Sequence, residues 1–278
     1  MPRTMPFDST DAVRALHLAT FGIEPEPAVL DSLRTEVGDD PAALAALADR
    51  LYRFAGHLRS RERHSLPDHS QNGELRILLR EMMAIGQRHG IIVDVGVLGR
   101  EGSNSFDLLT DFGWKGLLIE ANPALIGDIR RDFGPADFTL LQCAVGPVAG
   151  RHVLHIGASD HISSLDLGHA AQFGAVRGTV EVDVRRLPDL LDEAGIPHDF
   201  DILDLDIEGL DVAVMNDLID HSPYRPRLVL IEASHAFTTR DLLQAGLSEA
   251  VQANYRIVDA TISNLVLGLV AAADAVRT

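Results

Sequence analysis

The run DFDILDLDIEGLD, residues 199–211, sets Asp204, Asp206 and Glu208 at alternate positions, which turns three carboxylates toward one face of a strand end. Carboxylates gathered in this way repel one another unless a cation, hydrogen bonds or protonation compensates. A second apolar run, RPRLVLIEAS, ends in Glu232, with Ser234 and His235 just beyond it. Two chemistries are open to this set. Asp206, Glu208 and Glu232 could hold Mg²⁺ or another hard cation, which would orient two hydroxyls and lower the pKa of one of them. Alternatively, His235 acts alone as a general base, being the side chain best poised near neutral pH. Simpler roles stand beside these: Glu208 as the cap of a helix starting near Leu210, and His235 as a solvated loop histidine.

A second group precedes it in the chain. IIVDVGVLGREGSNS places Asp94, Gly96, Gly99 and Gly102 after an apolar run and before a helical pattern, where glycines allow a sharp turn and a close backbone approach to a ligand. The dinucleotide fingerprint G-x-G-x-x-G is not met, because Asp94 stands at its first glycine. A pyrophosphate calls for backbone N–H groups, whereas the ammonium and sulfonium of S-adenosylmethionine (SAM) tolerate a nearby carboxylate, so the acid favours SAM over NAD. Glu120 ends the next run, GLLIEANP, about 20 residues beyond the glycine loop, where one carboxylate can accept both ribose O–H groups. The plainer alternatives are a tight turn for the glycines and a helix cap for Glu120.

These residues need a scaffold that brings strand ends together. From residue 90 onward, short β-rich runs alternate with helical ones, with strands expected at Ile91–Val95, Gly116–Glu120, Phe138–Val145, Phe200–Asp206, Arg227–Glu232, Tyr255–Asp259 and Asn264–Val270. That alternation predicts an α/β fold with a mostly parallel sheet covered by helices on both faces, and such sheets bind ligands at the carboxyl ends of their strands. Arg151–Ile156 and Thr179–Arg185 read as an antiparallel excursion. Asn122 followed by Pro123 reads as a helix start. Upstream, residues 9–56 read as helices, Arg59–Gly73 as a linker and Glu74–Gln87 as an amphipathic helix. The expected division is a small helical segment over 1–60 and a catalytic domain over 71–278. Trp114 reads as a packing residue.

The charge balance, 24 basic against 41 acidic residues for a net −17, repels phosphate backbones and anionic lipid, and no basic patch offsets it. Nucleic acid and membrane surfaces are therefore not the expected partners; a neutral, cationic or metal-assisted small molecule is. A single cysteine, Cys143, and the lack of a secretory pattern or a long apolar stretch point to the cytoplasm.

In order along residues 90–270, the pieces VDVG, SNS (Ser103-Asn104-Ser105), GWKGLLIEANP, CAVG (Cys143–Gly146), SSLD (Ser163–Asp166), DFDILDLDIEGLD and RPRLVLIEAS make the chain resemble the FkbM family of methyltransferases. The resemblance implies a Rossmann-like class I methyltransferase fold, SAM as donor and O-methylation of sugars or natural products. It also implies that Ala121, Asn122, Cys143, Ala144, Ser163 and Ser164 join Asp94, Gly96, Gly99, Asn104 and Glu120 around the cofactor. Family members often read GANDG after the first strand, whereas this chain reads GVLGREG, leaving Glu101 or Ser103 to supply polar contacts. His161 lies either in a loop over the cofactor or in a plain turn.

The function expected is a SAM-dependent O-methyltransferase acting on a hydroxyl of a sugar or glycosylated natural product. One alternative is an NAD-dependent oxidoreductase or epimerase, against which Tyr52, Tyr224 and Tyr255 all lack a lysine three residues later. Another is a non-catalytic SAM-binding module. The amino-terminal helices are candidates for a homo-oligomer contact, an acceptor cover or a protein-binding surface.

Overall fold

The computed structural model describes residues 9–21, 24–38, 40–60, 68–159, 162–172, 174–233, 242 and 245–270. His161, Ser234 and His235 lie outside the described residues. The chain divides into two compact units, Met1–Leu66 and Pro67–Thr278.

The first unit holds three helices, α1 (Ser9–Phe21), α2 (Pro27–Val37) and α3 (Pro41–Ser60). Val29, Leu33 and Val37 recur at helical spacing on α2 and are buried, as are Val13 of α1 and Leu47 and Leu51 of α3. Asp40 caps α3 by accepting a hydrogen bond from the Ala42 N–H at 2.9 Å, an interaction worth about 1 kcal/mol. Arg50 reaches back to both oxygens of Glu36 at 2.6 and 2.7 Å, fastening α3 to α2.

In the second unit the main sheet contains β1 (Ile91–Val95), β2 (Lys115–Glu120), β3 (Asp137–Gln142), β8 (Ile202–Leu205), β9 (Leu228–Glu232), β10 (Tyr255–Ala260) and β11 (Asn264–Leu269). Their spatial order is β10-β11-β9-β8-β1-β2-β3. The five strands from β3 to β9 are parallel, and β11 runs antiparallel to both β9 and β10. Period-2 alternation divides the strand side chains between two cores. Val93, Val95, Leu203, Leu205, Val229 and Ile231 face one side, against α8 (Leu187–Glu193), α9 (Asp211–His221) and α10 (Glu249–Asn254). Ile92, Leu118, Ile202, Leu230 and Val266 face the other, against α4 (Glu74–Ala84), α5 (Phe106–Thr110) and α6 (Ile126–Phe133). Each such buried aliphatic side chain stabilises the fold by about 1.5–3 kcal/mol relative to exposure, which makes this two-faced burial the main term holding the strand ends in register.

A smaller sheet of order β4-β7-β5-β6 is built from β4 (Ala144–Val145), β5 (Gly150–Ile156), β6 (Ser163–Ser164) and β7 (Gly178–Arg185), with α7 (Leu167–Ala170) following β6. β5 and β7 form the antiparallel pair that the sequence pattern indicates. Three boundaries differ from the sequence reading. Phe138–Val145 is not one strand: Gln142 pairs with Glu120, the last residue of β2, so the main sheet offers no partner beyond it and the chain turns at Cys143 to pair β4 with β7. The segment 68–73 is not a free linker. Its backbone is bound to the rest of the second unit, with Gly102 N–H donating to the His69 carbonyl at 2.8 Å and His69 N–H donating to Asp107 at 2.8 Å. Finally, α6 begins at Ile126 rather than beside Asn122, whose side chain instead closes a turn by accepting from the Ala124 N–H at 3.0 Å.

Candidate active site

At the carboxyl ends of β1, β2 and β8 lies a pocket. Gly96 forms its floor. Its φ of 91° is one that side-chain-bearing residues rarely adopt, and a β-carbon there would overlap the carbonyl oxygen of Asp206. Glycine is therefore required by the close approach of β1 and β8, whose ends are tied by Asp206 N–H donating to the Val95 carbonyl at 3.0 Å. Glu120, Ala121, Cys143, Ala144 and Ser163 also line the pocket, joined by Asp206 and Glu208. Leu98, Leu125, Leu154, Leu165 and Leu210 supply apolar walls that the sequence reading did not single out.

Asp94 and its partners stand behind the pocket instead of lining it. The Asp94 carboxylate accepts hydrogen bonds from the hydroxyls of Ser103, at 3.2 Å, and Ser105, which fold the glycine loop back onto β1. Burial pushes its pKa up to about 6 against the lowering effect of those hydroxyls. In the strand register Asp94 sits opposite Asp204, whose carboxylate accepts from the Asn104 amide at 2.9 Å and whose pKa burial and the Asp94 charge drive well above the carboxylate range. Asp94, Ser103 and Asn104 thus shape the loop from within. Gly99 packs against Asp132, since a β-carbon there would lie 2.7 Å from that carboxylate. Glu101 is 83% exposed beside Arg100. Neither is among the pocket-lining residues.

Glu120 presents its carboxyl at the tip of β2, with one oxygen accepting from the Asn122 N–H at 2.5 Å. Burial, and then the Asp94 charge, raise its pKa to about 8. Asn122 is buried and serves the turn into α6.

On the opposite side of the pocket, β8 leads into a short loop whose central residue, Glu208, has φ 57°. It is the single non-glycine residue with positive φ among those described, a conformation costing of order 1–3 kcal/mol that neighbours must enforce. Asp211 accepts from the N–H groups on either side of it, Ile207 at 2.9 Å and Gly209 at 3.0 Å, and Ser164 donates to the Glu208 carbonyl at 2.7 Å. The second serine of SSLD is therefore a positioning residue, while Ser163 faces the pocket. Held in this way, the Glu208 carboxylate lies 2.7 Å from Nε2 of His169. His169 is fixed in turn by Asp166, which caps α7 and accepts from the His169 N–H at 2.7 Å.

Glu232, at the end of β9, completes a group in which ligand-type atoms of His169, Glu208 and Glu232 all lie within 4.8 Å of one another. Burial, followed by the charges of Asp211 and Glu208, raises the Glu232 pKa to about 7. Asp206 is not in this group; it lines the pocket, with its pKa raised well above the usual range by burial and then by Glu232. The sequence thus yielded two members of the cluster and missed the third. Its signal was the spacing Asp166-x-x-His169, an N-cap acid three residues before a histidine, directly after SSLD.

A seven-stranded sheet with helices on both faces and an antiparallel final hairpin is a methyltransferase-like α/β architecture. The family model described as the Methyltransferase FkbM domain matches residues 85–257, more than half of the chain, and the protein belongs to that family. No curated protein and no solved structure matches the chain. Among the described residues no helix is long and apolar enough to cross a membrane.

Proposed function

We infer that the protein is a SAM-dependent O-methyltransferase acting on a hydroxyl of a sugar or glycosylated natural product. The observation that carries this reading is the placement of Glu120 at one side of the pocket and of Asp206 and Glu208 at the other, with the backbone of Gly96 between them. A carboxylate at the end of the second parallel strand suits a ribose diol. The side-chain-free floor suits close approach of the remainder of the cofactor, and the leucine walls suit an adenine ring. SAM supplies a methyl carbon activated by its sulfonium, and transfer to a hydroxyl releases S-adenosylhomocysteine and a proton.

The chain's own residues hold, orient and exclude water. Asp94, Ser103 and Ser105 keep the loop closed, Glu120 fixes the ribose, and the carboxylates at the ends of β8 and β9 face the acceptor side. Divalent-cation assistance at those strand ends belongs to the same reading, because acidic groups without a countercharge suit a cation-bound diol better than an anionic acceptor. The strongly negative chain favours a small neutral acceptor over nucleic acid or a lipid surface, and the lone buried cysteine suits work in the cytoplasm.

Calorimetric titration of the purified chain with SAM and, separately, with NAD tests the donor, and release of S-adenosylhomocysteine with a panel of glycosides tests the reaction. Saturable SAM binding without NAD binding is expected. Binding of NAD alone would replace this reading with an oxidoreductase, and SAM binding without turnover on any hydroxyl acceptor would leave a binding module.

A further inference from the structure

We propose that His169, Glu208 and Glu232 form a three-ligand site for a divalent transition cation, with Mn²⁺ the best-suited probe. The site's existence is argued from these side chains; its role in catalysis rests on the methyltransferase reading above.

The three ligands come from three separate elements: α7, the loop after β8 and the end of β9. Each is placed by its own device. Asp166 caps the turn bearing His169, Asp211 and Ser164 clamp the loop bearing Glu208, and β11 pairs with β9 through Asn264 opposite Glu232. Two carboxylates brought this close repel, and among the described residues no arginine or lysine pairs with either of them. In an octahedral site with bonds of about 2.1 Å, adjacent ligand atoms stand roughly 3 Å apart and opposite ones roughly 4.2 Å. The observed spacing, 2.7 Å for the closest pair and under 4.8 Å throughout, fits a cation between them with little movement.

A second observation points to a ligand at this place. Glu208 and Leu210 line the main pocket, while His169, Gly209 and Leu210 line a separate, open depression together with Asp166, Gly168 and Gln172. His169 and Glu208, in contact with each other, thus join the two, which is where an acceptor entering from the depression would face a donor in the pocket. Three protein ligands leave coordination positions for two oxygens of a diol or for water.

A plain His–Glu general-base pair accounts for less. Nε2 of His169 is already engaged with Glu208, and Nδ1 faces Gly209 so closely that a β-carbon there would lie 3.1 Å away. The pair gives no role to Glu232, whereas a cation held among the three would replace the direct His169–Glu208 contact with a bond to each side chain. The imidazole also shifts the preference from Mg²⁺, which takes oxygen ligands, toward Mn²⁺, Fe²⁺ or Zn²⁺.

The test uses the full chain stripped with EDTA. Mn²⁺ is titrated while the paramagnetic resonance of the free aqueous ion is followed, and SAM affinity is measured in parallel on each sample. Saturation near one Mn²⁺ per chain is expected, with binding weakened at least about tenfold in His169→Ala and in Glu232→Gln and unchanged in Glu181→Gln, an exposed acid on β7. His169→Gln and Glu208→Gln, which keep side-chain length, replace any variant whose circular dichroism departs from wild type. Absence of saturable Mn²⁺ binding, or equal binding by wild type and ligand variants, overturns the site. So does full turnover in EDTA combined with a pH–rate profile flattened by His169→Gln, which assigns His169 as a base. Failure of wild type to bind SAM refutes the methyltransferase reading while leaving the Mn²⁺ result to stand or fall separately.

Discussion

The two sides of the pocket treat carboxyl groups in opposite ways. On the β1–β2 side, Asp94 and Glu120 are enclosed by neutral donors from their own chain: serine hydroxyls for one, a backbone N–H for the other. On the β8–β9 side, Glu208 and Glu232 share a cluster with His169 in which ligand-type atoms lie within 4.8 Å of one another. In the first arrangement Asp94 is closed off behind the pocket, while Glu120, tied by one backbone N–H, still lines it, and both acids can retain protons. In the second, acids are held together by backbone clamps and a strained φ, with one histidine as the nearest basic group to two carboxylates. The contrast teaches that acids at the carboxyl ends of one sheet's strands serve two purposes: shaping a loop and meeting a ligand.

The variant that breaks this comparison most severely removes the boundary between the sides. Gly96→Ala must drive its β-carbon into the Asp206 carbonyl in a backbone conformation alanine resists, parting β1 from β8. Loss of SAM binding by more than about a hundredfold, or of folded protein altogether, is expected, read by calorimetry and circular dichroism. A folded variant with wild-type affinity would mean that the floor of the pocket is not where the cofactor lies.

Next in size is Glu120→Ala. It removes the two hydrogen bonds assigned to the ribose, each worth about 0.5–1.5 kcal/mol to an acid that keeps its proton, so SAM affinity should fall by roughly ten- to a hundredfold while Mn²⁺ affinity stays unchanged. A parallel loss of both affinities would erase the distinction between the two sides.

The smallest effect concerns pH and uses the protein without ligands. Asp94 and Glu120 have folded-state pKa values raised to about 6 and about 8 from 3.8 and 4.5. The folded chain therefore keeps protons that the unfolded chain releases. Their contribution to stability is complete below about pH 4 and declines as pH rises through about 6 and then about 8. The melting temperature should drop by several degrees between about pH 5 and about pH 8, and Glu120→Gln should flatten the upper part of that decline. A melting temperature that climbs over this range would show these acids to be ionised and otherwise stabilised.

Much of the fold was legible because its signals are local. β1 carries an apolar run broken only by Asp94, as befits a strand buried on both faces, and the alternation of strands with helices specified a largely parallel sheet. Gly96 and Glu120 were legible for the same reason, each marking the end of such a run. What escaped depends on pairing between distant residues. The break at Cys143 follows from where β2 ends, and the placement of Gly99 and Glu101 outside the pocket follows from how the loop packs on Asp132 and Arg100. His169 escaped because the small sheet, with β6 leading into α7, carries it to the strand ends, and the Asp166-x-x-His169 spacing marks a helix start without showing where that start lies. Spacing alone put Asp206 beside Glu208 and Glu232; the left-handed turn at Glu208 separates them in role.

Trp114 offers a consequence of a different kind. It is the only tryptophan in the chain, it is 1% exposed, and it lies in the core beneath α4, α5 and α6. Its emission therefore reports the core of the second unit, while Tyr52 is the only tyrosine of residues 1–66, which hold no tryptophan. Fluorescence and far-ultraviolet dichroism recorded during one thermal scan consequently watch different parts of the molecule, and any offset between the two curves measures how independently the helical unit melts.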